Sequence, residues 1–86
     1  MEVKYTKQAE IDIFFWVKSG NKSMLKRIDL LIDSIIESPF TGIGKPEPLK
    51  YQLTGKWSRR INSEHRLVYE ILNEEIVIFS AKGHYD

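Results

Sequence analysis

The sequence predicts an α+β fold: a strand and two helices, followed by a four-strand antiparallel meander, with the helix pair packed on one sheet face. A short apolar alternation opens the chain, two stretches with helical apolar spacing follow, and the second half alternates with a period of two. The 86 residues leave room for one core, so residues 1–86 are expected to form a single domain. The hydrophobic fraction of 42% is typical of a globular chain.

The first strand and the first helix are predicted on either side of Thr6. Val3 and Tyr5 alternate with polar residues, and the Thr6 hydroxyl can cap the helix that follows. The apolar stripe of this helix is expected at Ala9, Ile13, Trp16 and Val17. Further apolar residues lie off the stripe: Ile11, Phe14 and Phe15. The helix is therefore expected either to contact a partner or to be wedged between the sheet and its neighbour, and we favour the wedged arrangement.

The second helix is predicted to begin at Asn21 or Ser23 and to end before Pro39. Its core stripe is expected at Met24, Ile28, Leu31 and Ile35, widened by Leu25, Ile32 and Ile36. The short turn at residues 19–21 implies an antiparallel helix pair.

An irregular segment, residues 41–48, separates the helices from the meander. The four strands of the meander are predicted at residues 49–53, 57–61, 66–72 and 76–81. Alternation places Arg60 and Arg66 on the face away from the helices. Arg59 falls on the helix side, so we expect it at an edge where its guanidinium reaches water.

The charges are unevenly distributed along the chain. Residues 45–69 carry six basic and two acidic side chains, whereas residues 1–44 are balanced and residues 70–86 are net acidic. This basic block is either a local anion site or a solvated face of the sheet. The chain has no cysteine and its longest apolar runs are far short of the roughly 20 residues that span a membrane, so a cytoplasmic location without a membrane partner is expected.

Two residue types in the second half could transfer protons. Glu47 stands between Pro46 and Pro48, which hold its backbone extended, and it is either a general base or the counter-ion of the basic block. His84, next to Tyr85 after the last strand, can exchange a proton near neutral pH. His65 is interpreted as structural or as positioning the substrate. Two histidines without cysteine or a carboxylate cluster favour neither a metal site nor a cofactor.

A base, an acid and fixed cations on an open sheet suit metal-free cleavage of RNA. The base takes the proton of the 2′-OH, this oxygen attacks the adjacent phosphorus, and the acid protonates the departing 5′-oxygen. An arginine holds the extra charge on the phosphorane.

Four ordered segments resemble the Txe/YoeB toxin family of the RelE-like superfamily. They are SPFTGIGKPEPLK at residues 38–50, LTGKWSRRI at 53–61, EHRLVY at 64–69 and SAKGHY at 80–85. The resemblance implies the toxin of a type II toxin–antitoxin system, an endoribonuclease that cuts messenger RNA in the ribosomal A site. It also implies a Phd/YefM-type antitoxin as partner, and it leaves a homodimer open.

Carried over by position, the resemblance implies a role for each candidate residue. Glu47 matches the general base, Arg66 the phosphate-stabilising arginine and His84 the general acid. The substrate-binding positions are matched by Lys50, Arg60 and Tyr85. The alternatives are a non-catalytic module of the same fold that binds RNA or the ribosome, and a structural partner of an antitoxin.

Overall fold

The computed structural model describes residues 1–83, which form two helices and five strands. The strands are β1 (Glu2–Tyr5), β2 (Glu47–Pro48), β3 (Trp57–Arg60), β4 (Arg66–Leu72) and β5 (Glu75–Ser80). The helices are α1 (Lys7–Lys18) and α2 (Lys22–Glu37), and a short 3-10 helix covers Tyr51–Leu53. No helix within this part of the chain has the length and apolar character needed to cross a membrane.

The strands form one sheet in the order β1-β5-β4-β3-β2, so the predicted α+β fold is confirmed. The run from β2 to β5 is an antiparallel meander, whereas β1 pairs in parallel with β5. The sheet is therefore mixed rather than wholly antiparallel. Thr6 fastens this parallel edge, because its backbone N–H donates to the Ile78 carbonyl at 3.0 Å and its hydroxyl to the Phe79 carbonyl at 3.0 Å.

The prediction of a strand at residues 49–53 is wrong. The pairing segment is Glu47–Pro48, and the chain then turns into the 3-10 helix because Tyr51 adopts a left-handed backbone with φ 58°. Pro48 is tolerated here since β2 is an edge strand, where a missing N–H leaves no ladder bond unmade.

Both helix starts follow the side-chain caps expected from the sequence. The Thr6 hydroxyl accepts from the Ala9 N–H at 3.1 Å, and Asn21, rather than Ser23, accepts from the Met24 N–H at 3.2 Å. All four residues of the expected α2 stripe are buried in the core: Met24, Ile28, Leu31 and Ile35.

The core face of α1 differs from the predicted stripe. Ala9 and Trp16 are buried, but Val17 is 52% exposed and Asp12 is buried instead. The off-stripe residues also stay exposed: Ile11, Phe14 and Phe15. The wedged arrangement expected for α1 is therefore wrong, and one side of this helix presents apolar side chains to solvent.

Arg59 is fully buried, which overturns the expectation that its guanidinium reaches water at an edge. Its Nε donates to the Tyr69 hydroxyl at 3.2 Å. The terminal nitrogens donate to four further oxygens, those of the Ser34 hydroxyl and the Ser38, Thr41 and Ile43 carbonyls, at 2.7–3.2 Å. The five bonds match the five N–H donors of a guanidinium, so the charge is buried with every donor satisfied.

These bonds fasten the loop that leads to β2. Three of the acceptors are loop carbonyls, and the Arg60 N–H donates to the Gly44 carbonyl at 2.7 Å. Gly44 has φ 83°, and a Cβ there would lie 2.7 Å from Leu31 and 3.1 Å from the Arg59 Cβ. Only glycine fits this close approach, which holds the loop against the sheet and fixes the entry to Glu47.

Candidate active site

A cavity of about 400 Å³ opens on the sheet face opposite the helices, where β2, β3 and β4 meet. It is lined by Glu47, Pro48, Leu49, Lys50, Tyr51, Ser58 and Arg66. Three of the residues predicted for the site therefore come together here: Glu47, Lys50 and Arg66.

Glu47 and Arg66 form an ion pair across the mouth of this cavity. The Glu47 Oε1 lies 3.6 Å from the Arg66 Nη1. The Glu47 side chain is 55% exposed, whereas that of Arg66 is 11% exposed. The distance is an ionic contact rather than a formed hydrogen bond. A ligand oxygen could therefore enter between the two groups without breaking a strong interaction.

Strand register explains why these two side chains meet. Glu47 on β2 is opposite Ser58 on β3, and Ser58 is opposite Val68 on β4. Arg66 lies two residues before Val68, so its side chain points to the same face of the sheet. The Pro46–Pro48 bracket keeps Glu47 extended at the edge where this line of residues begins.

Ser58 orients the Arg66 guanidinium. Ser58 is fully buried, and its hydroxyl accepts from the Arg66 Nη1 at 3.2 Å. Within residues 1–83 this is the single hydrogen bond of the Arg66 side chain, and the guanidinium lines the cavity. No role was predicted for Ser58 from the sequence, although its position two residues before Arg60 places it on the same open face.

Of two further residues that line the cavity, Lys50 was predicted for the site and Tyr51 was not. Lys50 is exposed and lines the cavity, in agreement with a place at the site. Tyr51 is 85% exposed beside it and was missed, because the left-handed turn that presents its ring stands where a regular strand was predicted. An exposed aromatic ring beside cations suits stacking on a nucleic-acid base.

Arg60 lies outside the cavity. It is exposed and directly opposite Arg66 in the β3–β4 register, so the two share the open face as predicted. Its side chain extends the positive surface next to the cavity but does not line it.

The basic block does not form one continuous patch. Arg59 is buried on the helix side, and Lys56 lies 3.8 Å from Glu70 and 4.5 Å above the Phe79 ring. Of the other four cations, Lys50 and Arg66 line the cavity, Arg60 is opposite Arg66 in the strand register, and Lys45 is exposed in the loop before β2. This arrangement favours a local anion site over a uniformly solvated face.

His84 and Tyr85, predicted as general acid and substrate contact, lie outside the described residues. The preceding residue, Gly83, is held beside the cavity wall, because its carbonyl accepts from the Arg66 N–H at 2.9 Å. Among residues 1–83, no three His, Cys, Asp or Glu side chains are grouped so that they could hold a metal ion.

Comparison with known proteins gives one family. A family model described as the YoeB-like toxin of bacterial type II toxin–antitoxin systems matches residues 5–85. A curated relative from Synechocystis, named toxin YoeB, is 52% identical over 85 residues, which is 99% of this chain and 98% of the relative.

Solved structures agree with that family. The chain is similar to a YoeB/ParE toxin from Agrobacterium tumefaciens with a TM-score of 0.95 and 37% identity, over 99% of this chain and 100% of that one. A YoeB dimer from Staphylococcus aureus gives a TM-score of 0.89 at 44% identity, covering 99% of this chain and 98% of that one. A YoeB–YefM complex from the same organism gives a TM-score of 0.89 at 45% identity with the same coverage.

Proposed function

The chain belongs to the YoeB-like toxins of bacterial type II toxin–antitoxin systems, and from this premise we propose that it is a metal-independent endoribonuclease acting on messenger RNA in the ribosomal A site. One observation carries the proposal: a solvent-accessible carboxylate, Glu47, lies 3.6 Å from an oriented guanidinium, Arg66, in an open cavity. A base beside a fixed cation is the pair that transesterification of RNA requires.

In the proposed reaction, Glu47 takes the proton of a ribose 2′-OH. The O2′–P bond forms, the P–O5′ bond breaks, and the products are a 2′,3′-cyclic phosphate and a 5′-OH end. Arg66 stabilises the negative charge that develops on the phosphorane oxygens, since its N–H donors face the cavity from a position fixed by Ser58. His84 is proposed to protonate the departing 5′-oxygen, on the strength of the family motif. The requirement for a 2′-OH excludes DNA.

Delivery of the substrate by the ribosome is proposed from family membership and agrees with the charge of the site. Three cations near the cavity provide few phosphate contacts, and affinity for nucleic acid rises with the number of phosphates neutralised. We therefore expect weak binding to free RNA, and efficient cleavage only where the ribosome holds the messenger RNA in place.

A YefM-type antitoxin is proposed as the regulating partner, because the Staphylococcus aureus relative forms a YoeB–YefM complex. The exposed apolar side of α1, with Phe14 at 61% and Phe15 at 47% exposure, provides hydrophobic area for such a contact. An acidic antitoxin segment could also cover Lys50 and Arg60. A second copy of the chain is the alternative occupant of the apolar surface, since the same relative also forms a dimer.

The test is cleavage of messenger RNA on purified ribosomes, with the 5′ ends mapped relative to the reading frame. The matched control is Glu47→Gln, which keeps the shape of the side chain but removes the base. Because Glu47 is more than half exposed, this change should leave the free energy of unfolding within about 0.5 kcal/mol of its original value.

We expect the wild-type protein to cut within codons and the variant to be slower by about 10²–10⁴-fold. Equal cleavage by the two proteins would remove Glu47 from the mechanism. Binding to ribosomes without any cleavage by the wild type would favour the non-catalytic module instead.

A further inference from the structure

The end of β5 is fastened to α1 by two side chains. The Ala81 N–H donates to the Asp12 Oδ2 at 2.9 Å, and the Trp16 Nε1–H donates to the Ala81 carbonyl at 2.9 Å. Both hydrogen bonds are buried, and Ala81 itself is fully buried. The backbone therefore leaves the sheet from a fixed point.

Two residues further along, Gly83 is fastened to the start of β4. Its N–H donates to the His65 Nδ1 at 3.0 Å, and its carbonyl accepts from the Arg66 N–H at 2.9 Å. Gly83 has φ 100°, while a Cβ there would meet no atom within 4 Å. Glycine is thus favoured at this position by the positive φ angle, whereas the surroundings would leave space for a side chain.

The His65 ring makes two separable contacts. One edge packs on Trp16, with ring centroids 4.9 Å apart and an interplanar angle of 74°. The Nδ1 atom accepts the Gly83 hydrogen bond, which requires the imidazole to be neutral with its hydrogen on Nε2. The aromatic contact stabilises the fold, whereas the acceptor atom acts on the backbone next to Arg66.

We infer that His65 is a positioning residue: its Nδ1 holds the backbone of Gly83 against Arg66 and so fixes the point beside the Glu47–Arg66 cavity from which the chain continues to His84. The inference rests on the proposed function, in which His84 supplies the proton to the leaving oxygen. A general acid works only when held close to hydrogen-bond distance of the leaving atom, and a misplacement of about 1 Å can cost roughly 10²-fold in rate.

The two contacts of His65 can be removed one at a time. His65→Phe keeps an aromatic ring against Trp16 but has no acceptor. His65→Asn lacks the ring but places an amide oxygen close to the position of Nδ1. If the residue serves stability alone, the asparagine variant should be the more impaired of the two in every measurement.

The experiment compares wild type, His65→Phe and His65→Asn by cleavage on ribosomes, thermal unfolding and hydrogen exchange of the Gly83 amide. We expect His65→Phe to lower kcat by about 100-fold with KM little changed, at a melting temperature close to that of wild type. His65→Asn should melt lower yet restore most of kcat. Exchange at Gly83 should be fast in the phenylalanine variant and slow in the other two proteins.

Wild-type kcat in His65→Phe, or a loss of activity that follows the melting temperature in both variants, would overturn the positioning role. If the wild type itself does not cut messenger RNA, the proposed function fails, and the exchange rates then decide the inference separately. Equal exchange at Gly83 in all three proteins would show that His65 does not hold this backbone.

Discussion

Tyr69 and Arg59 are joined by a buried hydrogen bond of 3.2 Å between the tyrosine hydroxyl and the arginine Nε. The same hydroxyl donates to the Pro39 carbonyl at 2.6 Å, where the loop leaves α2. The two side chains thus connect β3 and β4 with the loop that ends at Glu47. The catalytic carboxylate of the proposed mechanism depends on a polar network on the opposite face of the sheet.

The first prediction concerns the neighbouring residues Arg59 and Arg60. Arg59→Met removes five hydrogen bonds and leaves buried acceptors unpaired, so we expect the free energy of unfolding to fall by about 3 kcal/mol or more. Arg60→Met alters an exposed side chain and should change the free energy of unfolding by less than about 0.5 kcal/mol. Urea unfolding of both variants measures the difference, and similar midpoints would show that the Arg59 network does not stabilise the fold.

The second prediction concerns stability at alkaline pH. Burial raises the pKa of Tyr69 above its ordinary value of 10.0, although the hydrogen bond and the charge of Arg59 act in the opposite direction. Above pH 10 the unfolded chain releases this proton while the native protein keeps it, so stability present below pH 10 is lost as the pH rises through the native pKa. We therefore expect the stability advantage of wild type over Tyr69→Phe to shrink in this range.

The ionisation of Tyr5 would also contribute in this pH range, because burial and then the charge of Asp29 raise the pKa of Tyr5 as well. Both proteins are therefore compared in a Tyr5→Phe background. At neutral pH, Tyr69→Phe should cost about 1–3 kcal/mol, because it leaves the Arg59 Nε and the Pro39 carbonyl without their partner. A stability difference that stays constant from pH 8 to pH 11 would contradict the assigned direction of the pKa.

The sequence predicted the fold well where periodicity and capping were strong. The α2 stripe and the caps at Thr6 and Asn21 were confirmed, since each depends on spacing within one element. The burial of Arg59 and the exposure of Val17 could not be predicted from such spacing. Arg59 is buried because a loop 16–21 residues earlier supplies three of its five acceptors. Asp12 lies on the core side of α1, where its carboxylate accepts from the Ala81 N–H, whereas Val17 is exposed.

The candidate site was predictable to the extent that strand alternation was correct. Alternation on β3 and β4 placed Arg60 and Arg66 on the open face, and the register agrees. The pairing of Glu47 with Ser58 was hidden, because a two-residue strand has too short a pattern to detect. The Glu47–Arg66 contact depends on that register, which aligns β2, β3 and β4.

The third prediction concerns the cations outside the reacting pair. Lys50 and Arg60 should contact phosphates and carry no base readout, so a Lys50→Ala/Arg60→Ala double variant should weaken association with RNA or ribosomes regardless of sequence. Each lost phosphate contact should lower the slope of log affinity against log salt by roughly one. Binding measured from 50 to 300 mM salt tests this. An unchanged slope in the double variant would show that these cations face solvent only.

The last prediction concerns residues 84–86. Hydrogen bonds to Asp12, Trp16, His65 and Arg66 fasten the described backbone at Ala81 and Gly83, and these bonds remain possible when the three following residues are removed. Deleting His84, Tyr85 and Asp86 should therefore leave the melting temperature nearly unchanged. It should reduce messenger RNA cleavage by about 10²–10⁴-fold, because the leaving 5′-oxygen loses its proposed proton donor. Deleting Asp86 alone is the control and should alter neither property. A large fall in melting temperature would instead assign the segment to the fold, and retained cleavage in the three-residue deletion would show that His84 is not the general acid.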